Sequence, residues 1–500
     1  MTYSRENGGR VIVLFLLFFL AMYQFITAGL PALAMVCLIP LIIPAIYAAF
    51  KWQMLTFWTL ILINYFIQMK DVHLPGPKSI YNELLELLLI GISIIDQRKF
   101  PHFERIGNLM FLTLLIWFSF CALEIFNDTC GLGIDVGGWY TGARMMSIQL
   151  IYACIIFTLY INDPEKLIKY LRIWAILCLF SYFWTWKQQT FGFTAAESQW
   201  LETAGRTTHI INGGTLTRYW STFNDAANYG CHAAAAAITF FIISITTKIK
   251  RDRIFFLITA LLVTKGMFAS GTRTAMFCMI GGFLVFLVLS RSVKILVPST
   301  IVGGLLFSLL IFTDIGQGNQ QIRRMRSAFN KDDASADVRS INQATIRKYI
   351  ADAPWGLGLG ISYDNVPANN KYNKLSKIPP DSEYVYIWVH TGPIGITTFL
   401  ILTVIMFVGA CWIAMFKIKS RSLMGIGAGL CSAFAAMQLG GYANQVLMQF
   451  PNALTFYGGL AIVYILPYLE PAWIEMEEKR FAEQEERKRL KLEKKLASRV

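Results

Sequence analysis

Five hundred residues with a net charge of +14 combine 55% hydrophobic with only 15% charged side chains, and the mean hydropathy is +0.49. No single soluble core accommodates that balance, so composition excludes a soluble globular protein and requires a polytopic membrane chain. Much of the positive charge sits in short loops beside apolar runs, the usual bias of membrane proteins, and it lends nothing to a nucleic-acid-binding reading.

Along the chain, Arg5 and Arg10 precede an apolar run that Ala32-Leu33-Ala34 follows. The run is too long for a cleaved leader and a second span follows at once, so an uncleaved signal anchor is expected. Spans are expected over 11–29, 30–50, 52–69, 80–95, 108–126, 146–162, 167–187, 229–247, 254–270, 274–290, 294–313, 392–416, 422–442 and 452–468, each about twenty residues long. The fourth carries Glu83 and Glu86, which suits a tilted or interfacial helix, so about 12–14 transmembrane helices are expected in an all-α fold. Basic short loops (Gln97-Arg98-Lys99, Lys166 to Arg172, Lys248 to Arg251, Arg291 to Lys294, Lys417 to Arg421) fall on one side if both termini are cytoplasmic.

The same topology makes 127–145, 188–228 and 314–381 the long outward segments. The chain then divides into a transmembrane bundle over 1–313, an extracytoplasmic loop over 314–381, C-terminal spans over 382–469 and a charged cytoplasmic helix over 470–500. In the loop, Gln321 to Arg326 and Val338 to Ile350 have the pattern of short amphipathic helices, ahead of the glycine-rich Pro354 to Gly360 and a polar stretch ending at Pro379-Pro380. In the tail, Glu475/Lys479, Glu483/Arg487 and Glu485/Arg489 have the spacing that pairs charges along a solvated helix. Nine cysteines lie singly and mostly within spans, with no CxxC or metal-ligand spacing, so no disulfide framework, metal or cofactor is expected.

Four local patterns on the outward side carry the chemistry. They are Arg218 through Ser221, Phe223, Asn224, Asp225 and Asn228; the turn Ser270-Gly271-Thr272-Arg273; Asp337-Val338-Arg339 ahead of Pro354-Trp355-Gly356-Leu357-Gly358; and Asp381-Ser382-Glu383-Tyr384 ahead of Gly392-Pro393-Ile394-Gly395. In order, spacing and side of the membrane this set resembles the O-antigen ligase and O-antigen polymerase superfamily over about 215–415. The resemblance implies a GT-C-like membrane glycosyltransferase that takes glycan from an undecaprenyl-pyrophosphate carrier at the outer face of the bacterial inner membrane and passes it to an acceptor hydroxyl without a metal ion. By matching position, Arg218, Arg273 and Arg339 would bind the pyrophosphate and Asp381 would act as the base. Arginine suits this role, because its permanent charge and bidentate fork match a pyrophosphate leaving group.

The chain also departs from the family pattern. Asp381 and Ser382 stand where the family's ligases carry histidine and asparagine, and the Asn-Pro-Asn turn is replaced by Asn224-Asp225-Ala226-Ala227-Asn228. These differences favour a surface-polysaccharide polymerase over a ligase that moves glycan to lipid A-core or protein; a flippase fits less well, since the charges gather at the outward mouths rather than at midplane. Expected partners are the lipid-linked oligosaccharide, a glycan acceptor, membrane lipids and a chain-length regulator. Bland alternatives stand beside each site residue. Arginines at span ends anchor at interfaces, Asp381 beside Pro380 is placed to cap a helix, and Asp225 and Asn228 are either glycan contacts or turn formers. His390 reads as packing, and His209 and His232 have no partner at metal spacing.

Overall fold

The computed structural model describes residues 3–74, 76–100, 102–211, 216–290, 293–313, 318, 320–327, 334–361, 366–376, 378 and 381–497. Arg291 and Pro379-Pro380 lie outside the described residues. Every expected span is helical, because each apolar run is long enough to satisfy its own backbone hydrogen bonds internally. The helices are α1 (Tyr3–Lys51), α2 (Gln53–Phe66), α3 (Ser79–Ile95), α4 (Leu109–Leu123), α5 (Val136–Ala143), α6 (Gln149–Tyr160), α7 (Pro164–Thr190), α8 (Ala195–Trp200) and α9 (Arg206–His209). A two-residue antiparallel pair, β1 (Ile210–Ile211) with β2 (Leu216–Thr217), precedes α10 (Ala226–Thr246), α11 (Lys250–Ala269), α12 (Arg273–Leu289) and α13 (Val293–Phe312). Both amphipathic segments of the long loop are helical, as α14 (Gln320–Ser327) and α15 (Ala334–Ile350), followed by α16 (Asn373–Ser376), α17 (Glu383–Trp412), α18 (Arg421–Ala443) and α19 (Gly458–Ala497).

The chain forms two compact units, Met1–Leu60 and Ile61–Val500, a division inside the 1–313 stretch expected as one bundle. In the first, α1 breaks at Gly29 (φ 77°), at the boundary between the first two expected spans. Among the described residues seven helices are long and apolar enough to cross a membrane, or eight if the bent pair Ile43–Lys51 and Gln53–Phe66 is one span. The 12–14 expected on hydropathy includes helices that miss this criterion for visible reasons: α11 carries Lys250, Arg251, Asp252, Arg253 and Lys265, and α12 has only 17 residues.

In the second unit α10 packs against α11, α12 and α18, and α12 also packs on α18. Small residues permit the close approach: Ala233 to Ala237 are buried, and Thr239 donates to the carbonyl of Gly429 at 3.1 Å, where a Cβ on Gly429 would sit 3.2 Å from the Thr239 methyl. Two boundaries differ from those expected. Val136–Tyr160 is one helical span, so Arg144 stands inside it rather than in a loop, and the hydropathy count stopped at that charge. α17 begins at Glu383 and is bent at Gly392, φ 67°, ahead of the span proper.

One end of this unit gathers the basic short loops. Arg172 pairs with Asp252 at 2.6 Å, Lys248 pairs with Glu477 at 3.1 Å, and Glu470 accepts from the amides of Lys419 and Ser420 at 2.6 Å each. α19 runs unbroken from span into tail, and Trp473 and Glu477 are buried against these loops, so residue 470 is no structural boundary. Charges further along are exposed, as in the Glu485–Lys488 pair at 2.5 Å.

Candidate active site

At the opposite end, the N-termini of α10, α12 and α17 meet the loop 444–452 between α18 and α19. Asp225 is the N-cap of α10: its Oδ1 accepts from Ala227 N (2.7 Å) and Asn228 N (2.9 Å), and His209 Nε2 accepts from Ala226 N (3.1 Å). Two consecutive caps fix the segment before α10, which carries Arg218. The Arg218 Nη1 donates to the Thr208 carbonyl (2.9 Å) and Nη2 to the Thr272 hydroxyl (3.1 Å), and Thr272 in turn donates to the Ala226 carbonyl (2.8 Å). Arg218 Nε is buried with no hydrogen-bond partner among the described residues.

The turn Ser270-Gly271-Thr272 is the pivot of the site. Gly271 has φ +57°, and a Cβ there would meet Arg218 Cγ at 3.3 Å and Arg324 Cδ at 3.5 Å. Arg324 Nε donates to the Gly271 carbonyl at 2.6 Å. Arg273, half-buried, opens α12 two residues later. Burial is the main influence pushing Arg218 below its ordinary range; Asp225 supports its charge, and Arg273 opposes it. The arrangement therefore concentrates positive charge around a partly desolvated turn, where it interacts with an anion far more strongly than in water.

Sequence reasoning placed Arg218 and Arg273 together and missed Arg324, which it read only as part of an amphipathic segment. It also missed Lys70. The Lys70 ammonium donates to the Asn224 carbonyl (2.8 Å) and Oδ1 (3.3 Å) and lies 3.9 Å from the centre of the Trp200 ring. Burial pushes Lys70 down to about 8, and the neighbouring Asp225 carboxylate only partly offsets this. No local signal marks a loop lysine 154 residues from its partner.

Asn228 is not available to a glycan. Its side chain is wholly buried, with Nδ2 on Gln449 Oε1 (3.0 Å) and the Phe450 carbonyl (3.1 Å), and Oδ1 accepting from Asn452 (2.5 Å). The reading as a glycan contact is thereby corrected: α10 turns Asn228 inward, toward loop 444–452. Asp225 likewise spends Oδ1 on the helix cap. The inward chain continues from Asn452 to His232 (2.8 Å), whose Nε2 accepts from Trp174 (3.2 Å), so Nδ1 carries the proton that Asn452 Oδ1 accepts.

Asp381 is exposed, one residue ahead of α17, and no hydrogen bond engages its carboxylate among the described residues. The N-cap is Ser382, whose hydroxyl donates to the Gly441 carbonyl (3.0 Å) without capping the helix, so the capping alternative for Asp381 does not hold. Glu383 is buried and accepts from Leu447 N (3.0 Å). Asn444 donates to Thr274 (3.1 Å). Loop 444–452 thus ties the α17 start, with Asp381, to the starts of α10 and α12, with Arg218 and Arg273. Arg339 is half-buried on α15, and no hydrogen bond or ion pair engages it among the described residues. Its helix packs inward through Ile346 and Ile350 in a cluster with Leu357 and Val389, beside the glycine-rich loop. His390, as expected, is a packing residue: its Nδ1 bonds the Gly358 carbonyl at 2.9 Å.

Residues 257–400 match the sequence model of the family described as O-antigen ligase. This match supports the resemblance to the O-antigen ligase and polymerase superfamily. It runs from α11 into α17 and includes Arg273, Arg324, Arg339 and Asp381, while Arg218 and Lys70 lie outside it. A comparison with curated proteins finds no match. Members of the O-antigen ligase family are membrane glycosyltransferase-like enzymes, which agrees with a chain of several membrane-length apolar helices.

Proposed function

We propose that the chain is a surface-polysaccharide polymerase that transfers glycan from an undecaprenyl-pyrophosphate carrier to an acceptor sugar hydroxyl at the outer face of the bacterial inner membrane. The observation that carries this is the convergence of Arg218, Arg273 and Arg324 on the Gly271 turn, with a buried Arg218 Nε left to meet an acceptor oxygen. As the bond from the anomeric carbon to the pyrophosphate oxygen breaks, negative charge builds on the leaving group. Guanidinium groups already oriented by Thr208, Thr272 and Gly271 stabilise that charge without reorganising. The acceptor hydroxyl attacks the anomeric carbon and gives its proton to Asp381, whose exposed carboxylate stands on the arm that loop 444–452 joins to the arginines. Arg339 would add to the pyrophosphate contacts from the α15 side, and a chain-length regulator would act as partner.

Sidedness follows from the gathering of basic loops and the start of the tail at one end, which would be cytoplasmic with both termini, leaving the arginine end periplasmic. Single cysteines placed in 334–361 are expected to react with an impermeant reagent in intact cells, and those in 484–497 are not; labelling of the tail from outside would reverse the assignment. A second reading, a ligase, is favoured by the description of the matching family. Purified protein incubated with lipid-linked repeat units alone separates the two, since a polymerase gives a ladder of lengths and a ligase gives product only when its separate acceptor is added. No transfer under either condition would reject both.

A further inference from the structure

Glu83, a carboxylate in the otherwise apolar α3, makes no contact with the arginine site among the described residues. It is buried, and its carboxylate grips the helix that follows the 127–135 loop: Tyr140 Oη donates to Oε1 at 2.5 Å and Arg144 Nη1 donates to Oε2 at 3.3 Å. Both partners of this ion pair are largely shielded, with side-chain exposures of 13% for Arg144 and 8% for Glu83. Tyr140 and Arg144 are four residues apart and so share one face of the helix. Gly138 and Gly142, also four apart, form another face. A Cβ at Gly138 would lie 2.5 Å from the Gly360 carbonyl oxygen, and one at Gly142 would collide with the Leu359 carbonyl. The helix is therefore held on one side by Glu83 and pressed on the other against the backbone of the glycine-rich loop.

That loop is in turn seated on the bend of α17. Leu357 N donates to the Val389 carbonyl and Gly358 N to the His390 carbonyl, both at 2.9 Å, and the positive-φ glycines Gly356 and Gly392 meet backbone to backbone. The half-helix in front of this bend begins one residue after Ser382 and is preceded by Asp381. A residue in α3 is connected in this way, through α5 and the 354–360 loop, to the place of the carboxylate that takes the acceptor's proton.

We propose that Glu83 is a positioning residue for glycan transfer, holding α5 through Tyr140 and Arg144 so that the glycine-rich loop seats the N-terminal half of α17 and with it Asp381. A buried pair that loses one charge leaves the other uncompensated, so the clamp should fail on a conservative change. The inference rests on the reading of Asp381 as the base, but its first readout does not.

The experiment measures amide hydrogen exchange at Leu357 and Gly358 in the full-length protein, together with kcat and KM for lipid-linked donor. Glu83→Gln keeps the size and an acceptor for Tyr140 but removes the charge, and is expected to speed exchange at these two amides about tenfold, with kcat down about tenfold and the donor KM unchanged. Tyr140→Phe, which leaves the ion pair in place, gives a smaller change in the same direction, about threefold. The exchanged pair Glu83→Arg with Arg144→Glu restores both readouts at least in part. Exchange at Leu357 and Gly358 unchanged in both single variants, or raised uniformly over the chain, overturns the proposal. A wild-type protein with no transfer activity defeats the enzymatic reading and leaves the exchange result to judge the clamp by itself.

Discussion

Arg324 donates through Nε to the carbonyl of Gly271 at 2.6 Å, so a helix from the long 314–381 segment closes directly onto the turn between α11 and α12. The same glycine is flanked by Arg218. Space and backbone conformation at this one position therefore set the relative placement of two arginines that lie 106 residues apart in sequence (324 − 218).

Gly271→Ala should show this. With φ at +57° an L side chain costs about 1–2 kcal/mol, and its methyl would press on Arg218 Cγ and Arg324 Cδ. The expected outcome is a fold that survives with transfer reduced about tenfold, measured as polymer formed per folded enzyme. Unaltered transfer would mean that the arginine spacing tolerates displacement.

Arg218 and Arg273 are expected to need the guanidinium and not merely the charge. A lysine at 218 has its three N–H donors on one nitrogen and cannot reproduce the planar fork that places Nη1 on the Thr208 carbonyl and Nη2 on the Thr272 hydroxyl with Nε left over. Lysine at either position should therefore impair transfer about tenfold or more and alanine nearly abolish it, with donor binding by the detergent-solubilised protein weakened in parallel. Full-length polymer from both alanine variants at normal expression would reduce these residues to interfacial anchors.

Asp381→Asn separates chemistry from architecture cleanly, since no hydrogen bond ties the carboxylate to α17. The thermal midpoint should be unchanged while kcat falls about a hundredfold or more. An active asparagine variant would move the base elsewhere in the 314–381 segment or to the substrate.

His209 should make the α10 cap sensitive to acid. Burial, aided by the charge of Arg218, pushes its imidazole down to about 3, and its Nε2 must stay unprotonated to accept from Ala226 N. The unfolded chain takes up this proton near pH 6.5 while the folded chain does not, so the contribution is complete above that pH and is lost as pH falls toward 3. Between pH 7.5 and 5.5 the loss is about 1.4 kcal/mol. A fall in the thermal midpoint over that interval, absent in His209→Gln, is the expected result; an equal fall in the variant would assign the sensitivity to other groups.

Hydropathy alone determined a great deal, because the cost of burying an unpaired backbone in lipid forces every long apolar run into a helix regardless of its neighbours. Each expected span is helical, the break at Gly29 falls between two of them, and Gln320–Ser327 and Ala334–Ile350 match the two amphipathic segments of the loop. The order of Arg218, Arg273, Arg339 and Asp381 along the chain was likewise enough to suggest the superfamily that residues 257–400 match. What required the tertiary structure is everything that depends on which helix face meets which. Asn228 turns inward to Asn452 and Gln449, Arg324 reaches Gly271 from a separate helix, Lys70 reaches Asn224, and Arg144 is tolerated within a span because Glu83 compensates it. Hydropathy is a property of each residue and its immediate neighbours, and so it is written locally; pairing between side chains tens to hundreds of residues apart arises only when packing against small residues such as Gly429 brings the helices close enough for those groups to meet.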